Sequence, residues 1–141
     1  MEECHMVKVI MGKRGSGKTK QVIDMVNYAV NVESGHVVCV EKGQKLRFDI
    51  NHQARLVDVS SYPVTSYDAL TGFLCGMMAA NYDITHVFID SLYKIANDDS
   101  PDDAVSFIAG LEKLSAEHNV SFTITISADV ESATEELKKY F

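Results

Sequence analysis

Eight residues near the start of the chain, Gly12-Lys13-Arg14-Gly15-Ser16-Gly17-Lys18-Thr19, carry three glycines, three cations and two hydroxyls in one turn. They fit the pattern G-x-x-x-x-G-K-[ST], and each residue type has a physical reason to be there. Glycines let backbone N–H groups converge on one concavity that cradles phosphate oxygens. A helix opening directly after them adds unsatisfied N–H groups and the positive end of its dipole. Lys18 supplies a point charge for the terminal phosphates, and the Thr19 hydroxyl can ligate Mg²⁺. Lys13 and Arg14 are additional cations. They read either as solvent-facing groups at the shoulder of the loop or as further phosphate contacts.

A bound nucleotide needs its metal held. The apolar run "HVFID" ends in Asp90, which suits a carboxylate holding Mg²⁺ directly or through water. Hydrolysis also needs a group to orient or activate water. Asp90 is followed by Ser91, so the acid often found next to the metal aspartate is absent. Glu41, at the end of "HVVCVE", is the remaining candidate. The alternative is a strand-end acid that pairs with Lys42.

These residues must be positioned by regular elements. Val7–Met11 reads as a buried strand, and Lys18–Val32 carries a helical stripe of Val22, Met25, Val26, Ala29 and Val30. His36–Glu41 is a second strand and Ala54–Ser60 a third, with a segment between them, "KGQKLRFDINHQ", that reads as irregular or as a brief helix. Ser66 caps a helix running to about Ala80, and Thr85–Asp90 is the fourth strand. Ser100 caps a helix with proline and two acids in its first turn, running to about His118. Val120–Ser127 is the fifth strand, although Thr123 and Thr125 are polar for a strand covered on both faces. A capping box, Ser132 with Glu135, predicts a closing helix. Strands alternating with helices imply a parallel sheet covered on both sides.

The chain of 141 residues reads as one domain, 1–141, with 46% apolar residues for its core. Its net charge of −7, with no basic run, argues against nucleic acid or an anionic membrane as partner. Cys4, Cys39 and Cys75 have no CxxC spacing, and Cys39 and Cys75 lie in apolar runs. Free thiols in a reducing cytoplasm follow. The five histidines show no paired ligand spacing, so no zinc site is expected. The pair Met77–Met78 reads as core.

The loop together with "VFIDSLYKI" and "NVSFTITISAD" resembles RecA-like P-loop ATPases, among them replicative-helicase motors and the circadian-clock ATPase. The resemblance spans about Val7 to Ser127. It implies a three-layer α/β/α fold with a five-stranded parallel sheet in the order 3-2-4-5-1. It also implies a catalytic glutamate where Glu41 stands and a γ-phosphate-sensing polar residue where Ser127 stands. ATP and Mg²⁺ are the implied cofactors, with hydrolysis that is slow unless a second copy or a protein partner supplies an arginine. Arg47 and Arg55 are the only arginines besides Arg14, and nothing in the sequence places either at a γ-phosphate. The chain also resembles short stand-alone bacterial proteins labelled twitching-motility ATPase. "GKRGSGKT" is partly similar to the loop of partition ATPases, whose signature lysine stands at the position of Lys13, with Arg14 where that family has glycine. Thymidine kinase shares the "SGKT" element, but it needs an acid after the metal aspartate and a four-cysteine zinc ribbon. Two alternatives to an ATPase are a nucleotide-binding regulatory module without significant turnover, and a small-molecule kinase or partition-type ATPase. In the latter group the Asp90 strand should lie directly beside the phosphate-loop strand.

Overall fold

The computed structural model describes residues 6–141. Cys4 and His5 therefore lie outside the described residues. The strands are β1 (Val7–Gly12), β2 (His36–Glu41), β3 (Arg55–Asp58), β4 (Ile84–Ile89) and β5 (Ser121–Ser127). The helices are α1 (Lys18–Val32), α2 (Tyr67–Ala80), α3 (Leu92–Ala96), α4 (Pro101–His118) and α5 (Glu135–Lys138). All strand pairs are parallel, in the order β1-β5-β4-β2-β3. A sheet has no first edge. Counted from β3, the same neighbours read 3-2-4-5-1, and β5 separates β1 from β4.

Each face of the sheet buries its own core. On one side Val9, Val38, Val40, Val87, Ile89, Phe122, Ile124 and Ile126 pack with Leu70, Leu74, Ile108 and Leu111 of α2 and α4. On the other, Val37, Cys39 and Phe88 pack with Val22, Val26 and Ala29 of α1, and with Leu46, Ile50 and Ala54 of the segment after β2. That segment has no helix, yet it is pinned. Asn27 of α1 donates to the Asp49 carbonyl (3.1 Å) and accepts from the Asn51 amide (2.7 Å). Among the described residues no helix is long and apolar enough to cross a membrane.

Several local expectations change. The third strand is shorter than Ala54–Ser60. Val59–Ser61 winds into a 3₁₀ turn because the Asp58 side chain accepts from the Ser60 amide (2.9 Å). Ser132 does not cap the last helix. It ends a 3₁₀ turn, donating to the Asp129 carbonyl (2.6 Å), while Thr134 accepts from the Leu137 amide (3.2 Å) and caps α5. The segment after Asp90 contains the short α3, which the sequence reading did not anticipate. Cys39 is buried, but Cys75 only partly. Met78 is core and Met77 packs against it.

The threonines of β5 have specific partners. Thr123 Oγ1 lies 2.8 Å from His86 Nε2, and His86 Nδ1 lies 3.2 Å from Glu33 Oε2. The His86 ring stacks on Phe88 with centroids 4.2 Å apart. Burial lowers the His86 pKa, against the hydrogen bond and charge of Glu33. In the unfolded chain this imidazole titrates near about 6.5. Below that pH the unfolded state binds the proton first, so stability falls until the native pKa is also passed. Between pH 7.5 and 5.5 the wild type should lose more Tm, or gain less, than His86→Gln, since the opposing contribution of the buried Glu41 is common to both. An equal change in Tm for the two proteins would remove His86 as a source of pH dependence.

Candidate functional site

The loop between β1 and α1 depends on its glycines. Gly15 and Gly17 have φ of 85° and 92°, a region open to glycine and costly for other residues. A Cβ at Gly12 would stand 2.5 Å from Ser16 Oγ, so this position is kept bare by close approach. The Ser16 amide donates to the Lys13 carbonyl (3.1 Å), closing the turn. Gly17 is the residue before α1 and has no side chain to cap it, so the first amides of the helix are left for another acceptor.

Lys18 is folded into this turn. Its Nζ donates to the Lys13 carbonyl (2.8 Å) and to Ser16 Oγ (3.3 Å), and the residue is only 7% exposed. Burial lowers its pKa, and the negative charge of Asp90 works in the opposite direction. The ammonium therefore lies within electrostatic reach of Asp90. Thr19 is exposed in the first turn of α1. Lys13 points to Asp129 at 3.4 Å, with both side chains largely solvated, an exposed pairing of small energetic weight.

Asp90 lies one residue past the end of β4 and is 4% exposed. Register explains its surroundings. Ile89 is level with Val40 of β2 and with Ile124 of β5, which places Glu41, Asp90 and Thr125 in one row across three strands. Thr125 Oγ1 donates to Asp90 Oδ1 (2.7 Å) and accepts from the Ser91 amide (2.8 Å). Ser91 takes φ 63°, an uncommon conformation for a residue with a side chain, and it turns the chain from β4 into α3. Thr125 is thus a site residue that sequence reasoning missed. Its signal was present as a threonine alternating with isoleucines in a strand expected to be covered on both faces.

Glu41 is 1% exposed. Its Oε2 accepts from the Leu46 amide (3.1 Å), while Oε1 is buried without a partner. Burial raises its pKa, the Leu46 hydrogen bond opposes this, and the neighbouring Asp90 charge adds to the rise. Lys42, the alternative partner, forms no ion pair with it among the described residues. The carboxyl end of the sheet thus gathers Gly12–Thr19, Glu41, Asp90 and Ser127, the edge at which open α/β sheets take ligands.

A cleft of about 290 Å³ opens there, lined by Arg14, Gly15, Lys18, Lys45, Ser91, Tyr93, Lys94 and Ser127. Ser127, level with Gly12 across the β1–β5 pair, is exposed. Lys45, Tyr93 and Lys94 were not singled out from sequence, because their placement depends on how two loops fold back. Glu41 does not line the cleft. As for a metal, no group of three His, Cys, Asp or Glu side chains forms a cage among the described residues. The donors present suit Mg²⁺, which keeps most of its water and takes one or two protein oxygens plus phosphate. Asp90, with Oδ1 occupied by Thr125, keeps Oδ2 for such an ion, and Thr19 offers an exposed hydroxyl at the head of α1.

Two consequences can be measured. Thr125→Val keeps the shape but strips both hydrogen bonds, leaving Asp90 Oδ1 and the Ser91 amide unpaired. Denaturant unfolding should show a loss of about 1–3 kcal/mol, and a loss below a few tenths would contradict the bonds. Glu41→Gln removes a carboxylate that the fold disfavours in its charged form. The variant should melt a few degrees higher at neutral pH. The gap should close as pH falls toward about 4, where the carboxyl is protonated in both folded and unfolded states. A variant that melts lower at pH 7 would overturn this.

No protein-family model matches the chain, and a search of curated proteins found no relative.

Proposed function

We propose that the chain is a Mg²⁺-dependent ATP-binding protein with slow ATP hydrolysis, built on a minimal RecA-like core. The observation that carries this reading is the loop itself. Gly15 and Gly17 at positive φ, uncapped amides at the head of α1 and an inturned Lys18 converge beside a buried Asp90. The strand order supports a RecA-like core over a small-molecule kinase or partition-type ATPase, since β5 lies between β1 and β4.

In this reading Lys18 exchanges its bonds to Lys13 and Ser16 for phosphate oxygens. Thr19 and Asp90 would hold Mg²⁺, which would supply positive charge to offset that of the phosphates. Ser127, beside Gly12, meets the phosphate end from β5. Glu41 accepts the proton of an attacking water. The water oxygen bonds to the γ-phosphorus, the bond to the β–γ bridging oxygen breaks, and ADP departs with that electron pair. Choice of adenine over guanine rests on the resemblance alone.

A second reading, a nucleotide-binding module with little turnover, is favoured by one observation. Glu41 is enclosed, committed to the Leu46 amide and outside the cleft lining. A water-activating role requires it to be released on binding.

Thermal melting with a panel of nucleotides tests the shared core of both readings. ATP with Mg²⁺ at a hundred times its Kd should stabilise the fold by about 2.7 kcal/mol, a rise on the order of 5–10 °C for a domain of this size. Lys18→Ala should erase most of the rise. A Tm unmoved by every nucleotide would overturn the proposal.

A further inference from the structure

The cleft is basic in an acidic protein. Four of its eight lining residues are cations, none is an acid, and the whole chain carries a net charge of −7. Two of the four, Arg14 and Lys18, belong to the phosphate loop. The other two arrive from different parts of the chain. Lys45 lies in the segment after β2, and Lys94 in α3 after β4.

Their placement along the sheet edge is set by strand order. From the phosphate loop at β1 the edge passes β5, then β4, then β2. At about 4.8 Å per strand, β2 is roughly 14 Å from β1. Arg14 and Lys18 therefore approach the cleft from one side, and Lys94 and Lys45 from the other. A phosphate chain anchored in the loop presents its terminal group to that second side.

Both lysines are exposed side chains on well-held backbone. The Lys94 amide donates to the Ser91 carbonyl (3.1 Å), and Ser91 is in turn tied to Thr125. Lys45 precedes Leu46, whose side chain is fully buried and whose amide holds Glu41. Neither lysine forms an ion pair among the described residues, where the pairs belong to Lys13, Lys20 and His86. Lys45 is close enough for its charge to act on Glu41. A cation that is exposed and unpaired meets an anion without first giving up another partner, although its flexible side chain still carries an ordering cost.

We propose that Lys45 and Lys94 contact the terminal phosphate of a bound nucleoside triphosphate from the side opposite the phosphate loop. This rests on the nucleotide reading above and deepens it. The chain supplies in cis part of the positive charge that a neighbouring subunit would otherwise have to bring. The pair discriminates triphosphate from diphosphate, because a diphosphate anchored in the loop ends short of them. Lys45 also couples that discrimination to Glu41, whose hydrogen-bonding residue Leu46 is its immediate neighbour.

The test is a double variant, Lys45→Gln with Lys94→Gln, against wild type and the double Lys→Arg variant. Binding of ADP and of a non-hydrolysable ATP analogue is measured calorimetrically with Mg²⁺, and hydrolysis by single turnover. Both positions are exposed, so the fold should survive, and equal melting temperatures without ligand check this. ADP affinity should stay within about twofold, while affinity for the ATP analogue falls by about 10-fold or more, the scale of lost charge-assisted hydrogen bonds. Single-turnover hydrolysis should fall by about 10–100-fold, and arginine should restore most of both. Affinities for both nucleotides that stay at the wild-type level would overturn the inference and leave the nucleotide reading standing. Equal losses for both nucleotides would replace terminal-phosphate contact with general anion attraction. Wild-type protein that binds neither nucleotide would overturn the functional reading itself, and the inference with it.

Discussion

A carboxylate that is almost completely buried costs several kcal/mol unless its oxygens are bonded, and Asp90 is in that position at the end of β4. The hydroxyl of Thr125 meets this demand by donating to Oδ1 of Asp90, while Thr125 Oγ1 itself accepts from the Ser91 amide. One threonine thus holds the acid, the turn that follows it and the entry into α3. This works only if β5 is the neighbour of β4, in a register that sets Thr125 level with Asp90. The same strand pairs with β1 on its other side and brings Ser127 level with Gly12. The position of β5 in the sheet, the glycine-rich loop after β1 and the buried acid are therefore one arrangement.

β5 divides its two faces by chemistry. Phe122, Ile124 and Ile126 enter the core under α4, while Thr123 and Thr125 face the α1 side. A fully apolar strand would leave His86 Nε2 and Asp90 Oδ1 without partners. The alternation that looks like half-exposure in sequence is a strand buried on both faces, with hydroxyls on one of them to satisfy polar neighbours.

Electrostatics at the carboxyl edge runs against the chain's overall charge. Glu41 and Asp90 stand side by side under the edge, each enclosed, and the proximity adds to the rise in the Glu41 pKa. Above them Arg14, Lys18, Lys45 and Lys94 face solvent or the cleft. Acids beneath and cations above give this edge two layers of opposite charge. Net charge describes long-range behaviour such as solubility and steering, and it did not anticipate this local inversion.

Much of this was legible in the order of residues. Glycine spacing, the turn's lysine and the strand-to-helix context are local, and local steric rules decide them, so the glycine-rich turn between β1 and α1 stood out at once. Five strands and the long helices followed from hydrophobic periodicity, and the neighbour relations of the sheet followed from the resemblance those motifs carry. Short-range competition hid the rest. Asp58 wound Val59–Ser61 out of the third strand, and Thr134 displaced Ser132 as the last cap, because several hydroxyls and carboxylates within a few residues offer alternative caps to the same amides. The partners of Thr125, the enclosure of Glu41 and the approach of Lys45 and Lys94 join residues tens of positions apart. No spacing in a sequence encodes such contacts, and only the register of the folded sheet and the return of its loops brought them together.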